Sequence, residues 1–307
     1  MCCPSPIVVP VPPATTTPTS RERWRAWACP VARGPPHRGS LPGVLRTHWD
    51  ALSDSVRDAV ESQVGTVISA ETAAEGLNSA LALVLRTGTR AVFLKGLRTD
   101  HPGSAAQQRE AMINAHVLDV APELVWQTEI EGWHLLAFDH VDGRHADYSP
   151  GSADLPKVIA TMDVLNRLPC PDLPLKQAER RWATYVDDAS ALDLLRGDSL
   201  LHTDFNPLNI LINDGSTYIV DWAWPTRGAA WIDPACLILR LMAAGHTAAE
   251  AESWAARTVA WTAAPTAGIA VFADASRRMW REIARNDPQP WKQRMATVAD
   301  AWAAYMS

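Results

Sequence analysis

The chain has 307 residues, 47% of them hydrophobic, enough for a sizeable core in one two-lobed enzyme or two packed units. A net charge of −6 argues against nucleic acid as a main partner. The five cysteines (Cys2, Cys3, Cys29, Cys170, Cys236) form no paired framework and no CxxC, an irregular set that suits a reducing cytoplasm better than a disulfide scaffold or structural zinc.

Residues 1–42 read as a disordered Pro-rich tail, with Pro4, Pro6, Pro10, Pro12, Pro13 and Pro18 among Ser, Thr and Val. Arg21, Arg23, Arg25, Trp24 and Trp27 make it either a docking tail or a solvated extension. Its start lacks early Lys or Arg and is a poor signal peptide. No apolar run reaches the ~20 residues that a membrane-spanning helix needs, so no membrane partner is expected.

Order is expected from His48, where Trp49, Leu52, Val56, Ala59 and Val60 recur at helical spacing and Ser53 and Ser55 weaken the pattern. Three strands follow at 67–69, 80–85 and 91–95, the last two joined by a tight turn at Thr87-Gly88-Thr89. A helix over 103–117 and two strands at 124–128 and 133–138 complete a small β-rich lobe, residues 43–142. Beyond it the pattern turns helical, with helices expected over 154–168, 177–196, 233–245, 247–261, 265–286 and 288–305. Residues 143–307 therefore form a larger, mainly helical lobe, and the fold class is α+β with a cleft between two lobes.

One stretch interrupts the helices. His202-Thr203-Asp204 is followed by Asn209, then by the apolar Ile210-Leu211-Ile212, and Asp221 closes a second apolar strand, Tyr218-Ile219-Val220. Phosphoryl transfer from a nucleotide needs this arrangement: one Asp to orient a hydroxyl nucleophile, and an Asn and a second Asp to hold Mg²⁺ on the triphosphate. Pro207 stiffens the turn between Asp204 and Asn209. Two oxygen ligands suffice for Mg²⁺, which keeps waters and phosphate oxygens in its octahedron. Lys95, at the end of an apolar strand before Gly96, can reach phosphate oxygens, and Glu110 on the next helix can pair with it. Asn78 and Ser79, in the loop between the first two strands, can approach phosphates, although a plain hairpin loop explains them as well. The segment from Phe138 to Gly143 leaves the small lobe extended, and the backbone of Asp139 and Val141 is expected to read a purine edge.

In this order, Lys95, Glu110, His202-Thr203-Asp204 to Asn209, and Asp221-Trp222 resemble the aminoglycoside phosphotransferase family, whose fold is protein-kinase-like. The resemblance covers roughly residues 62–300. It implies Asp204 as catalytic base, Asn209 and Asp221 as Mg²⁺ ligands, Lys95 as phosphate ligand with Glu110 as its partner, and His202 as a brace for the loop. Where that family often has Gly, this chain has Thr203, and no arginine stands beside Asp204 in sequence. Asp233 follows Asp221 too soon for a peptide platform and is expected to open the next helix with Pro234 in its first turn.

The expected activity is Mg²⁺-dependent transfer from ATP or GTP to a hydroxyl of a small molecule: an aminoglycoside-like antibiotic, or a choline- or homoserine-like metabolite. A nucleotide-binding scaffold and a metal-dependent phosphohydrolase using His202 are the alternatives. Trp222, Trp224 and Trp231 are candidates to line the acceptor pocket, whereas Trp254, Trp261, Trp280, Trp291 and Trp302 read as core. Asp187, Asp188, Glu250, Glu252 and Asp274 either face a cationic acceptor or lie on solvated helix faces.

Overall fold

The computed structural model describes residues 46–73 and 79–307. The tail expected over 1–42, and Asn78, lie outside them. The small lobe opens with a 3-10 turn (Trp49–Ala51) and helix α1 (Asp54–Val64). Ser53, expected to weaken this helix, caps it: its hydroxyl accepts from the Val56 N–H at 3.4 Å. Val56, Val60 and Val64 recur every fourth residue and are all buried.

Strands β1 (Val67–Thr72), β2 (Leu81–Thr87) and β3 (Ala91–Arg98) precede helix α2 (Ser104–Asn114), and β4 (Leu124–Ile130) and β5 (Trp133–Asp139) follow it. They form one antiparallel sheet in the order β1-β2-β3-β5-β4. The register opposes Leu83 to Leu94 and Leu94 to Ala137, and these side chains pack with Val56, Val60 and Val64 of α1. Side chains alternate along a strand, so Ala82, Val84, Phe93 and Lys95 take the other face, where they line a cavity between the lobes. A one-residue slip of β3 would drive Lys95 into the apolar layer under α1, which fixes the register.

The large lobe contains β6 (Arg144–His145), α3 (Leu155–Arg167), β7 (Lys176–Gln177), α4 (Ala178–Trp182), β8 (Ser199–Leu201), β9 (Ile210–Ile212), β10 (Thr217–Ile219) and β11 (Thr226–Gly228). Five helices close the chain: α5 (Ile232–Ala244), α6 (Ala248–Ala255), α7 (Val259–Thr262), α8 (Thr266–Asn286) and α9 (Pro290–Tyr305). Two small sheets follow, β10-β9-β6, which lines the cleft, and β7-β11-β8. The linker between lobes lies directly on β9: a Cβ at Gly143 would fall 2.7 Å from the carbonyl oxygen of Ile212, so only glycine fits there. Phe272 of α8 anchors the helical core, with Trp182, Trp231 and Trp302 rings at 4.9, 5.8 and 6.4 Å from its own. Among the described residues no helix is long and apolar enough to cross a membrane.

Two expected helices are broken. The helix over 177–196 stops at Trp182 and continues as 3-10 turns, because the Asp188 carboxylate takes the Ser190 N–H and hydroxyl and starts a separate turn. The helix over 247–261 breaks before Thr258, whose hydroxyl donates to the Ala255 carbonyl and accepts from the Trp261 N–H. Strands β6, β7, β8 and β11 were not expected, being too short to show a period.

Replacing Phe272 by Ala should remove about 3–5 kcal/mol of stability, the range for emptying a buried aromatic site, read as a lowered midpoint in urea at unchanged slope. A loss under ~1 kcal/mol would mean that the surrounding tryptophans refill the space.

Candidate active site

The residues at the cleft are held by backbone hydrogen bonding around the segment 202–209. Asn206 turns the chain, accepting from the Leu208 N–H at 3.2 Å with Pro207 at the first position of a 3-10 turn. That turn brings Asn209 back under Asp204. The Asn209 amide nitrogen donates to both the backbone oxygen and Oδ2 of Asp204, each at 3.1 Å. The hairpin of β9 and β10 then returns Asp221 to the cleft, with the Val220 N–H donating to the Asn209 carbonyl at 2.8 Å.

Two residues here adopt left-handed backbone, Thr203 at φ 68° and Asp221 at φ 64°. This conformation is costly for a β-branched side chain and persists only where the surroundings impose it. At Thr203 they do. The Asp233 carboxylate, fully buried at the start of α5, accepts from the N–H groups of His202 at 2.9 Å and Thr203 at 2.7 Å. Arg181 donates to the Thr203 hydroxyl at 2.6 Å. Burial pushes the Asp233 carboxyl up to about 7, although the two N–H groups and Arg181 draw it down.

His202 is buried, and its Nε2 lies 3.1 Å from the Val220 carbonyl, which can only accept. The proton is therefore on Nε2, and Nδ1 accepts the Asp204 N–H at 3.3 Å. Burial holds the imidazole below its ordinary pKa, despite Asp204 and Asp221 nearby.

The Lys95 ammonium donates to Glu110 Oε2 at 2.7 Å and to Asp221 Oδ1 at 2.8 Å. Burial alone would lower its pKa, but Asp221 and then Glu110 more than offset this and raise it. A cavity of about 310 Å³ opens above this pair. Lys95, Glu110, Asn209 and Asp221 line it from below, Ser79, Ala82, Val84 and Phe93 from the sheet, and Asp139 and Val141 from the linker. Asp139 differs from expectation in part. Its N–H donates to the Glu123 carbonyl at 2.9 Å and its carboxylate pairs with Arg90, so its N–H is already engaged.

Asp204 faces a second cavity of about 80 Å³ on the other side of the segment. Arg240 of α5 meets Asp204 Oδ1 at 2.7 Å, so an arginine does stand beside this carboxylate, delivered by a distant helix. The sequence held a signal for it: Arg240 lies seven residues after Asp233, two turns along one face of α5. Of the three tryptophans expected at an acceptor pocket, Trp224 lines this second cavity, Trp222 lines the first, and Trp231 packs on Phe272. Trp280 and Trp291, expected as core, also line the second cavity: they sit edge to face, rings 6.1 Å apart, at the inner side of α8 and α9.

No family model and no curated protein matches the sequence. Among solved structures the chain is similar to choline kinase LicA from Streptococcus pneumoniae, with a TM-score of 0.58, 13% identity, and coverage of 82% of this chain and 98% of that one. LicA in complex with AMP matches at a TM-score of 0.57 and 14% identity, covering 82% and 98%. A thermostable mutant of aminoglycoside phosphotransferase APH(4)-Ia, in a ternary complex with AMP-PNP and hygromycin B, matches at 0.53 and 18% identity, covering 81% and 99%. At such identities the likeness establishes the fold, the two-lobed protein-kinase-like α+β fold.

Two outcomes test this geometry. His202 has a depressed pKa in the folded state, so its contribution to stability is full above pH 6.5 and is lost as pH falls toward the folded value. The wild type should therefore lose stability more steeply than His202→Gln below pH 6.5, by up to about 1.4 kcal/mol per pH unit in denaturant titrations. Equal slopes would show that the imidazole titrates normally. At Thr203, Thr203→Gly relieves the strain while Thr203→Val keeps it and loses the hydroxyl. The Val variant should melt below the Gly variant, and the reverse order would mean that the strain is negligible.

Proposed function

We propose that this chain is a Mg²⁺-dependent phosphotransferase that moves the γ-phosphate of ATP to a hydroxyl of a small molecule. The observation that carries this reading is the contact between Asn209 and Asp204. Asn209 lines the first cavity, Asp204 lines the second, and a hydrogen bond of 3.1 Å joins them. A donor nucleotide in one cavity and an acceptor in the other would meet at that bond.

On this reading Asp204 takes the acceptor's hydroxyl proton. Arg240 and Asn209 hold one carboxylate oxygen each and so fix its orientation. Lys95 neutralises phosphate oxygens, and Glu110 keeps it in reach. On the same reading Ser79, which lines the first cavity, approaches the phosphates, and the carbonyl of Asp139 and the backbone of Val141 meet the base. His202 keeps the loop in register through its two ring nitrogens.

The residues present fit Mg²⁺. The Asn209 amide nitrogen is spent on Asp204, which leaves its oxygen, and Asp221 supplies a carboxylate. Two hard oxygen donors suit a cation that arrives on a triphosphate and completes its shell with phosphates and water. When bound, the ion would supply positive charge at the phosphate oxygens as the bond to the leaving group breaks. The adenine nucleotides in the LicA and APH(4)-Ia complexes support an adenine nucleotide as donor.

Asp204→Asn should lower acceptor-stimulated nucleotide turnover by roughly 10²–10⁴-fold, the usual weight of a general base, while leaving nucleotide affinity within about threefold. Turnover would be followed with Mg²⁺ against choline, homoserine, sugars and aminoglycosides. Turnover retained in the variant would overturn the role of Asp204.

A further inference from the structure

The second cavity is small, about 80 Å³ against the ~300–1,000 Å³ of sites for drug-sized ligands, so it encloses a compact body. Its walls are aromatic: Trp182, Phe205, Trp224, Phe272, Trp280 and Trp291. The charges in its lining already have partners. Arg240 pairs with Asp204, and Lys292 with Asp287 from outside the cavity. Arg181 donates to the oxygens of Thr203, Thr226 and Trp224, and its charge draws down the buried Asp233 carboxyl. An anion brought here would give up its hydration for cations that are already engaged.

The tryptophans are engaged as well. Arg181 lies 4.8 Å from the ring centroid of Trp182 and 5.7 Å from that of Trp224, Arg240 lies 5.6 Å from Trp280, and Lys292 lies 5.1 Å from Trp291. Lys176 and Arg109, from outside the lining, approach Trp224 at 4.3 and 5.1 Å. Aromatic faces attract cations, and here the protein's own cations have taken them. A cationic acceptor among these rings would stand close to guanidinium and ammonium groups of like charge. None of the acids that could face a cationic acceptor lines this cavity. Asp187 and Asp274 pair with Arg278, Asp188 binds Ser190, Glu250 closes a capping box with Thr247, and Glu252 bonds Tyr305.

The polar group that the lining leaves unanswered is neutral. Phe272, Ser276, Met279, Trp280 and Ile283 line the cavity from one stripe of α8, at the three- and four-residue steps of a helix face. Ser276 is the polar member of that stripe. It is 1% exposed, and its hydroxyl has no hydrogen-bond partner among the described residues, not even the Phe272 carbonyl one turn back. A buried hydroxyl left this way is costly unless a ligand or water meets it.

Building on the phosphotransferase reading, we infer that the acceptor is an uncharged alcohol with a compact apolar body, and that Ser276 recognises it through a hydrogen bond to a second, neutral polar group. The apolar body lies among the tryptophans, and the hydroxyl that receives the phosphate faces Asp204. The same lining disfavours choline, a zwitterionic amino acid and a polycation such as an aminoglycoside.

The test uses the full chain and four matched benzyl alcohols, each in meta and para forms. Hydroxymethylbenzamide is neutral with a second polar group, and methylbenzyl alcohol is neutral without one. Hydroxymethylbenzoate is anionic, and hydroxymethylbenzylamine is cationic. Tryptophan fluorescence reports binding without nucleotide, since Trp182, Trp224, Trp280 and Trp291 line the cavity. One isomer of the amide should bind at least about tenfold more tightly than its charged counterparts and severalfold more tightly than the methyl compound. With Mg²⁺-ATP, the neutral probes should stimulate turnover and the charged ones should not. Ser276→Ala should abolish the amide's advantage over the methyl compound. It should leave the methyl compound's affinity, Mg²⁺-nucleotide affinity and the urea midpoint no lower than in the wild type, because the hydroxyl it removes has no partner in the protein. A charged probe that binds as tightly as the amide or stimulates turnover as well, or no probe binding, overturns the inference. An amide advantage that survives Ser276→Ala, or a lowered midpoint with that advantage intact, overturns the role of Ser276. If the wild type binds no Mg²⁺-nucleotide yet prefers the neutral probe, the phosphotransferase reading falls, and the ligand's role as acceptor falls with it.

Discussion

Asp233 determines the shape of the cleft through two hydrogen bonds. Its carboxylate has no solvent contact and accepts the N–H groups of His202 and Thr203, which would otherwise be buried donors without partners. Thr203 stays in left-handed backbone because its N–H is fixed on one side and its hydroxyl on the other, by Arg181. The carboxylate can do this because α5 is docked through Leu237, Ile238 and Leu241, all buried. Two turns further on, the same helix presents Arg240 to Asp204. One rigid element therefore sets both the backbone of the loop and the direction of its central carboxylate.

Much of this was legible in the sequence where a period or a spacing carried it. The apolar runs over 80–85 and 91–95 pair in the sheet, and Lys95 in the second of them lies at the cleft. The apolar stretches after Asn209 and before Asp221 pair as a hairpin. What stayed hidden depends on contacts distant in sequence. Arg109 of α2 joins Lys176 and Arg181, which sit on the adjoining β7 and α4, at the Trp224 ring, and no short window of sequence contains all three. Trp280 and Trp291 have helical spacing, which reports that a side chain faces inward but not whether it meets a core or a cavity. The broken helices over 177–196 and 247–261 failed for a local reason, since Asp188 and Thr258 offered the backbone a competing partner.

The two cavities differ in chemistry as they differ in place. The first has an apolar roof from the sheet and a charged floor at Lys95, Glu110 and Asp221, which suits a flat base with a charged tail. The second joins aromatic walls to guanidinium and ammonium groups. The hydrogen bonds from Asn209 to Asp204 lie between them and join the lining of one to the lining of the other.

Lys95 has one more consequence. The small lobe contributes Lys95 and Glu110 and the large lobe contributes Asp221, so one ammonium faces two carboxylates across the cleft. The floor of the ligand-free cleft thus carries an excess of negative charge in a poorly screened setting. On the proposed reading, a triphosphate arriving alone meets like charge, whereas one arriving with its divalent ion brings the counter-charge that Asp221 lacks. Lys95 is then released from Asp221 to the phosphates. On that reading the cleft would act as a coincidence detector, admitting anion and cation together and leaving naked nucleotide a poor competitor.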